Sequence, residues 1–464
     1  MKNRILLSTL PFEHVSSVLP PMGLLYIAAA LEKKGFEVRI LEANLHKMSI
    51  EKMVEEAESF NPSIIGFSVS TAQLGIAKKA ALAIKEKLPK ALVIFGGAHA
   101  SVMPEECLNN GADIVVMGEG EITFLEIAQK FDGKINSLKK IEGIAFKEKG
   151  RMKRNPARAL IQDLDSLPFP ARHLVPVEKY FTMGVTKTPF ATILTSRGCP
   201  GKCIYCNKSI FTAIFRARSS ENIVKEIQEL KEKYNIKEFD ILDDTFSLDL
   251  KRAERICDLL IEKGLNNISW RCSNGLRVDK VSESLLKKMR KAGCHQIAFG
   301  VESGNDEVLK KIGKEITKEQ VRQAFKLAKK ARLETVGFFM IGLPFDTKET
   351  MQQTIDFAIE LDPDYAQFTI TTPLPGTRIN SWVRENTCFE GYSSFENFNF
   401  FSNDAYFETE NFTKEDVSFY YKKAYKSFYY RPRYFLKSLM RLRNWQEIKA
   451  KITGLKTLLG LTGK

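Results

Sequence analysis

The chain has 464 residues, of which 44% are hydrophobic, 10% aromatic and 27% charged, a globular composition with room for two large domains or about three ordinary ones. Its longest unbroken apolar stretch, Leu24 to Leu31, is too short to span a bilayer, and the basic-then-apolar start is broken at Pro11 and Glu13, so an integral membrane protein and a signal peptide are disfavoured. Net charge is +14, but twelve Lys/Arg against the single acid Glu447 fall between Tyr421 and Lys464, and the near-neutral remainder argues against a nucleic-acid partner.

In chain order, residues 1–132 alternate apolar runs (Ile5–Leu10, Val38–Leu41, Ile64–Val69, Leu92–Phe95, Ile114–Met117) with helix-spaced segments (Gly23–Lys34, Ile50–Phe60, Leu74–Leu88, Pro104–Asn110, Glu121–Lys130). That rhythm predicts βαβ units and a doubly wound, Rossmann-like parallel sheet. Residues 133–187 are rich in Gly and Pro and read as a linker with one hairpin, Ile144 to Arg154. Alternation resumes over 188–380, with strands at Thr192–Thr195, Glu238–Leu242, Ser269–Ser273, Gln296–Val301, Thr335–Ile341 and Tyr365–Thr371, and helices at Ser220–Lys233, Leu250–Lys263, Glu283–Ala292, Asp306–Ile312, Lys318–Ala331 and Lys348–Leu361. Six βα units predict a (βα)6 partial TIM barrel, since eight need more chain than remains. The last region, 381–464, reads as small, helical and basic. Ile448, Ile452, Leu455, Leu458 and Leu459 fall at helical spacing among lysines, which fits either an amphipathic contact with an anionic membrane surface or a basic helix docked on the barrel.

Eight cysteines stand at 107, 199, 203, 206, 257, 272, 294 and 388. A secreted disulfide framework would be denser, so the expected setting is cytoplasmic, with the tail peripheral at a membrane. Three of them crowd into Thr195-Ser196-Arg197-Gly198-Cys199-Pro200-Gly201-Lys202-Cys203-Ile204-Tyr205-Cys206-Asn207, the loop after the first barrel strand. C-x3-C-x2-C turns three thiolates onto one soft metal centre, with Gly198, Pro200 and Gly201 supplying the turn. An iron–sulfur cube held by protein alone takes four cysteines, so three leave one iron open. The alternative is zinc with a remote fourth ligand from Cys257, Cys272 or Cys294. Cys257 and Cys294 are read as small core residues on apolar helical faces.

With the aromatic Tyr205 before its last cysteine, this motif on the first loop of a (βα)6 array resembles the radical S-adenosylmethionine (SAM) superfamily. The resemblance implies that Cys199, Cys203 and Cys206 ligate a [4Fe–4S] cluster whose fourth iron chelates SAM, and that an electron from the cluster releases a 5′-deoxyadenosyl radical. It implies Tyr205 beside the adenine, chiefly through backbone. Asp243 or Asp244 takes the SAM amino group at the second strand end, where the family's Gly-Gly-Glu-like motif is absent; a helix N-cap is the other reading of either acid. Glu302, in Gly300-Val301-Glu302-Ser303, would accept from the ribose, Arg277 or Arg271 would pair with the carboxylate, and Gly337 and Gly342-Leu343-Pro344 would lie on the adenine side.

The loops of the first domain resemble the cobalamin-binding domains of B12-dependent radical SAM proteins. That resemblance implies corrinoid contacts at Gly23, Ser68, Ser70, Thr71, Gly96, Gly97, His99, Gly118, Glu119 and Gly120. The family's Asp-x-His-x-x-Gly is missing, because Pro20 stands three before Gly23; cobalt would then lack a protein histidine, with His99 and His14 as loop hydrogen-bonders. The function implied is a cobalamin-dependent radical SAM C-methyltransferase. The alternatives are a cyclase or oxidoreductase with the same cofactors, or a non-catalytic metal-binding scaffold. Implied partners are an organic, lipid-like substrate and a one-electron reductant such as flavodoxin or ferredoxin. With Cys107 alone in the first domain, no second cluster is expected.

Overall fold

The computed structural model describes residues 4–12, 17–389, 391–392 and 404–434. The chain forms two compact units, one from Met1–Thr182, Asn207–Arg218 and Tyr392–Phe400, the other from Met183–Cys206, Ser219–Gly391 and Phe401–Lys464.

In the first unit, strands β1 (Arg4–Ser8), β2 (Glu37–Leu41), β3 (Ile64–Ser68), β4 (Leu92–Gly96) and β5 (Ile114–Val116) pair in parallel in the order β2-β1-β3-β4-β5. Their Ile, Leu, Val and Phe side chains are almost all buried, as expected when helices cover both faces of a sheet. Those helices are α1 (Met22–Glu32), α2 (Ile50–Phe60), α3 (Leu74–Lys87), the short α4 (Ala98–Val102) and α5 (Pro104–Asn109), and α6 (Gly120–Lys130). α2 shows why the boundaries are legible. Ser49 caps its first turn by accepting from Lys52 N, and Asn61 ends it in the left-handed conformation, each residue satisfying backbone groups the helix leaves open. Strand order reverses beside β1, so the crevice at the carboxyl ends of β1 and β3 is where such a sheet takes ligands.

The expected linker is partly sheet. Its hairpin, β6 (Ile144–Glu148) and β7 (Arg151–Arg154), turns at Lys149-Gly150, both with positive φ, and β6 pairs antiparallel with β5. Ile144, Ala145 and Phe146 are wholly buried, so β6 continues the core, while the Arg-Met-Lys-Arg sequence of β7 closes the edge with charge.

Glu42, just past β2, is an oddity of this core. It is 3% exposed, and neither its carboxyl oxygens nor the facing Tyr180 hydroxyl make a hydrogen bond of good geometry. Burial pushes its pKa up from 4.5 to about 7. The folded protein therefore holds the proton more tightly than the unfolded chain, and the stability this confers, complete below pH 4.5, drains away as pH rises through 7. The expected loss is about 3 kcal/mol. Glu42→Gln keeps the shape without the charge, so its melting temperature should equal that of the parent near pH 5 and exceed it by several degrees at pH 8. A difference independent of pH would contradict this.

In the second unit, β8 (Phe190–Ile193), β9 (Glu238–Ile241), β10 (Ser269–Leu276), β11 (Cys294–Glu302), β12 (Glu334–Ile341) and β13 (Tyr365–Ile370) lie side by side in sequence order, all parallel. Between them run α7 (Ser220–Tyr234), α8 (Leu250–Glu262), α9 (Glu283–Lys291), α10 (Asp306–Lys311), α11 (Lys318–Lys330) and α12 (Lys348–Leu361), followed by α13 (Arg378–Asn386) and α14 (Lys414–Tyr429). This is the six-stranded open barrel expected from the sequence. Cys294 corrects one detail: α9 ends before Gly293, whose φ of +99° breaks the helix, and Cys294 opens β11 instead of lying on a helical face.

An open barrel leaves β13 as an edge. The hydroxyls of Tyr425 and Tyr429, one helical turn apart on α14, each bond both the N–H and the carbonyl of an edge residue, Phe368 and Ala366 respectively (2.8–3.3 Å). Arg431 extends the contact to the Ile359 carbonyl and Asp362. This part of the basic region therefore docks on the barrel. His14 and the amphipathic stretch from Ile448 to Leu459 lie outside the described residues.

Candidate active site

The cysteine loop is rooted at the carboxyl end of β8. Asp243, with a side chain 1% exposed, accepts from Thr195 N and Ser196 Oγ (both 2.6 Å) and from Thr195 Oγ1. Arg252 stands 3.7 Å from it and donates to the Thr195 carbonyl. Asp244 is exposed and accepts from Gly198 N at 2.8 Å. The two adjacent acids thus divide. Asp243 is consumed in holding the loop, and Asp244 faces solvent beside it.

Gly198 takes φ +85°, a conformation other residues avoid. At Gly201 a β-carbon would stand 3.1 Å from Arg277 Nη1, 3.4 Å from Cys199 Sγ and 3.9 Å from Cys203 Sγ, so two thiols and a guanidinium gather around space that only glycine leaves open. The far end is pinned by Ile204, which donates to the Ile312 carbonyl and accepts from Ile379 N. A hydrogen bond with Cys206, helped by the Lys314 ammonium, brings the Cys203 thiol down to about 6, and the shared proton stays on Cys206.

These donors fit a three-thiolate iron–sulfur cube. Cys257, Cys272 and Cys294 are buried in the core on α8, β10 and β11, and burial pushes Cys257 up to about 12 and the other two well above the usual thiol range.

Glu302 ends β11 with φ +69°, where its register with β12 slips between Gly300 and Glu302. A strained backbone at a strand's carboxyl end marks a built site. Its Oε1 accepts from Lys314 Nζ at 2.7 Å, and Lys314 lies 3.4 Å from the Tyr205 hydroxyl. Burial opposes the lysine's charge, but Glu302 and the nearby thiols outweigh it and hold the ammonium protonated. Tyr205 thus turns its phenol toward the Glu302–Lys314 pair.

Arg277 lies against Gly201 and is steadied by Asp279 (2.9 Å). Arg271 does not share this place. It is 3% exposed and tied to Asp240 (2.8 Å) and the Met183 carbonyl, which removes it as a partner for SAM. Gly342 has φ +74°, and a β-carbon there would meet Val417 at 2.9 Å, so it admits α14. Gly337 makes room for the Phe339 ring in the same way.

In the first unit the carboxyl-end loops form a cradle. Gly97 takes φ +96°, and a β-carbon would stand 3.1 Å from Val69 N and O and 3.2 Å from Ser68 Oγ. Ser101 Oγ donates to the Gly97 carbonyl and accepts from Gly118 N, tying the loops after β4 and β5 together. Gly23 and Gly118 face open space, and beside Gly118 lies a cavity of about 130 Å³ touching Ser101, Ile122, Gly143 and Ile161. Ser70 bonds Gln73 at the exposed rim. Thr71 Oγ1 meets His99 Nδ1 at 3.2 Å, and His99 Nε2 meets Glu106 at 3.3 Å. His99, 1% exposed, therefore braces the loops. Glu119 is equally internal, accepting from Ile161 N and twice from Arg216 Nη1 at 2.9 Å. Gly120 lets Ile27 pack close, and Gly96 closes β4. A shallow, glycine-lined cradle with hydroxyls at its rim and a side cavity fits a large corrinoid with a nucleotide tail. Ser101, Arg216 and Lys314 were not among the residues singled out from sequence; a serine two residues beyond His99 was the readable signal for the first.

Two family models match the chain, the B12 binding domain over residues 9–128 and the Radical SAM superfamily over 193–358. An uncharacterized methyltransferase of Pyrococcus horikoshii is 36% identical over 449 residues, 95% of this chain and 94% of that protein. The chain belongs to the cobalamin-dependent radical SAM methyltransferase family. The cytidylyl-2-hydroxyethylphosphonate methyltransferase of Streptomyces wedmorensis is 30% identical over 77% of both chains. The radical enzyme OxsB, solved with aqua-cobalamin and SAM, shares the fold with this family member at TM-score 0.77 and 18% identity, covering 98% of this chain and 71% of that one. As a radical SAM enzyme the protein requires a reductant and an organic substrate. Among the described residues no helix is long and apolar enough to cross a membrane.

Proposed function

We propose that the enzyme moves a methyl group from SAM to an unactivated carbon of an organic substrate. The observation that carries this reading is the three-thiol loop whose candidate fourth sulfurs are sealed in the core, in a chain that also has a cradle for a corrinoid. When bound, the cluster supplies the electron that splits SAM and the corrinoid carries the methyl group.

The protein's own part is holding and orienting. Cys199, Cys203 and Cys206 anchor the cluster. Asp244 meets the SAM ammonium, Arg277 its carboxylate and Glu302 its ribose hydroxyls; Tyr205 closes the adenine side. Ser68, Ser70, Thr71, Gly96, Gly97 and Gly118 receive the corrinoid. His99, held between Thr71 and Glu106, would brace the loops around the corrinoid and not serve as a ligand to its metal.

The test needs no substrate. Anaerobic, reduced, corrinoid-loaded enzyme given methyl-labelled SAM should yield about one S-adenosylhomocysteine per corrinoid, with the label retained by the corrinoid. Formation of 5′-deoxyadenosine with no S-adenosylhomocysteine would reject methyl transfer and point to cyclisation or oxidation.

The reading extends to a cytoplasmic enzyme with a flavodoxin- or ferredoxin-type donor and a lipid-like substrate, met at an anionic membrane through the tail. Full-length protein should float with phosphatidylglycerol vesicles while a chain ending at residue 434 does not. Equal flotation of the two would remove the membrane contact.

A further inference from the structure

Lys314 lies outside every stretch singled out in the sequence, yet three features of the fold deliver it to one place. α10 stops at Lys311. Gly313 then takes φ +69° with its α-carbon so close to the cysteine loop that a β-carbon would stand 2.6 Å from the Lys202 carbonyl. The chain is pinned there, and the next side chain turns inward. At Gly300 a β-carbon would fall 2.6 Å from Glu302 Oε1 and 2.7 Å from Lys314 Nζ, so that glycine keeps the path between the two charges clear.

The pair is asymmetric. Lys314 Nζ binds Oε1 of Glu302 at 2.7 Å, while Oε2 accepts no hydrogen bond from any described residue. Only about a tenth of either side chain is exposed. The terminal torsion of a glutamate is broad when nothing holds it. Here one oxygen is fixed by an ammonium whose other neighbour is the Tyr205 hydroxyl, at 3.4 Å, two residues from Cys203.

We propose that Lys314 is a positioning residue: by gripping Oε1 it presents Oε2 of Glu302 to the 2′- and 3′-hydroxyls of the SAM ribose. The inference rests on the reading of Glu302 as the ribose-binding residue. A lysine with a merely structural role would weaken every nucleoside ligand alike. A positioning lysine changes the enzyme's discrimination between ligands that have the hydroxyls and ligands that lack them, because a carboxylate aimed at a hydroxyl loses its bond when that hydroxyl is missing.

The experiment is equilibrium binding of SAM and of its 2′-deoxy and 3′-deoxy analogues to cluster-loaded wild type, Lys314→Met and Glu302→Ala, which has no side-chain acceptor, with iron content and melting temperature measured alongside. Wild type should prefer SAM over either analogue by about 30-fold, the scale of a hydrogen bond to a charged acceptor. Both variants should compress that ratio to less than about threefold. If Glu302→Ala keeps the wild-type ratio, Glu302 is not the ribose residue and both readings fall. If Glu302→Ala loses the ratio and Lys314→Met keeps it, the assignment of Lys314 alone is overturned. Should Met at 314 impair cluster loading, Lys314→Gln supplies the same comparison.

Discussion

Alanine at any one of Cys199, Cys203 or Cys206 should leave the protein folded but unable to hold a full iron–sulfur cluster, with SAM cleavage falling below detection. The three thiols sit on a loop whose two ends are fastened independently, at Thr195–Ser196 through Asp243 and at Ile204 through Ile312 and Ile379. Losing one sulfur therefore removes a ligand without unravelling the barrel. Cys257→Ala is the control. That thiol is wholly buried on α8, so its removal should cost about 1 kcal/mol of stability and leave iron content unchanged. Iron and sulfide analysis after anaerobic reconstitution checks both halves. Normal iron in the Cys203 variant, or loss of iron in the Cys257 variant, would reverse the assignment.

Asp243→Ala should be among the most damaging changes away from the cysteines. It strips an acceptor from two Thr195 donors and the Ser196 hydroxyl and leaves Arg252 without its buried carboxylate. Removing one partner of such a pair costs about 3–5 kcal/mol, a fall of about 10 °C in the melting temperature of the barrel unit, with cluster loading reduced because the loop has lost its root. Asp244→Ala, one residue away on the exposed side, should cost about 1 kcal/mol of stability through the lost Gly198 N–H bond and weaken SAM binding about tenfold. Calorimetric scans and SAM titrations of the two variants check this. An Asp243→Ala protein of unaltered melting temperature with lost SAM affinity would make Asp243 the ligand after all.

This pair shows where reading a sequence stops. The strands were legible because parallel strands covered on both faces are unbroken apolar runs, and the helices because Ser, Thr and Asp caps announce their starts. Two consecutive acids at a strand end are different: successive side chains point to opposite faces, and only the register of the neighbouring strand says which is sealed. Arg271 and Arg277 posed the same problem. Arg271 is in register with Asp240 across β9 and β10, a pairing between residues thirty-one apart that no local pattern encodes. The hairpin at 144–154 could be seen as a hairpin, but its attachment to β5 could not, because sheet order is not written in turn chemistry. Among the residues read as cobalamin-side, Gly97 and Gly118 take positive φ in the loops at the carboxyl end of the sheet, and Ser70 lies at an exposed rim. His99 and Glu119 are instead buried against Thr71, Glu106 and Arg216 and brace those loops.

Whether one iron of the cluster keeps a position free for SAM is decided by electron paramagnetic resonance of the reduced, anaerobically reconstituted protein with and without SAM. About four iron and four sulfide per chain are expected, with a cluster signal that changes shape when SAM is added. A signal indifferent to SAM, or a zinc ion bound in place of iron, would contradict this.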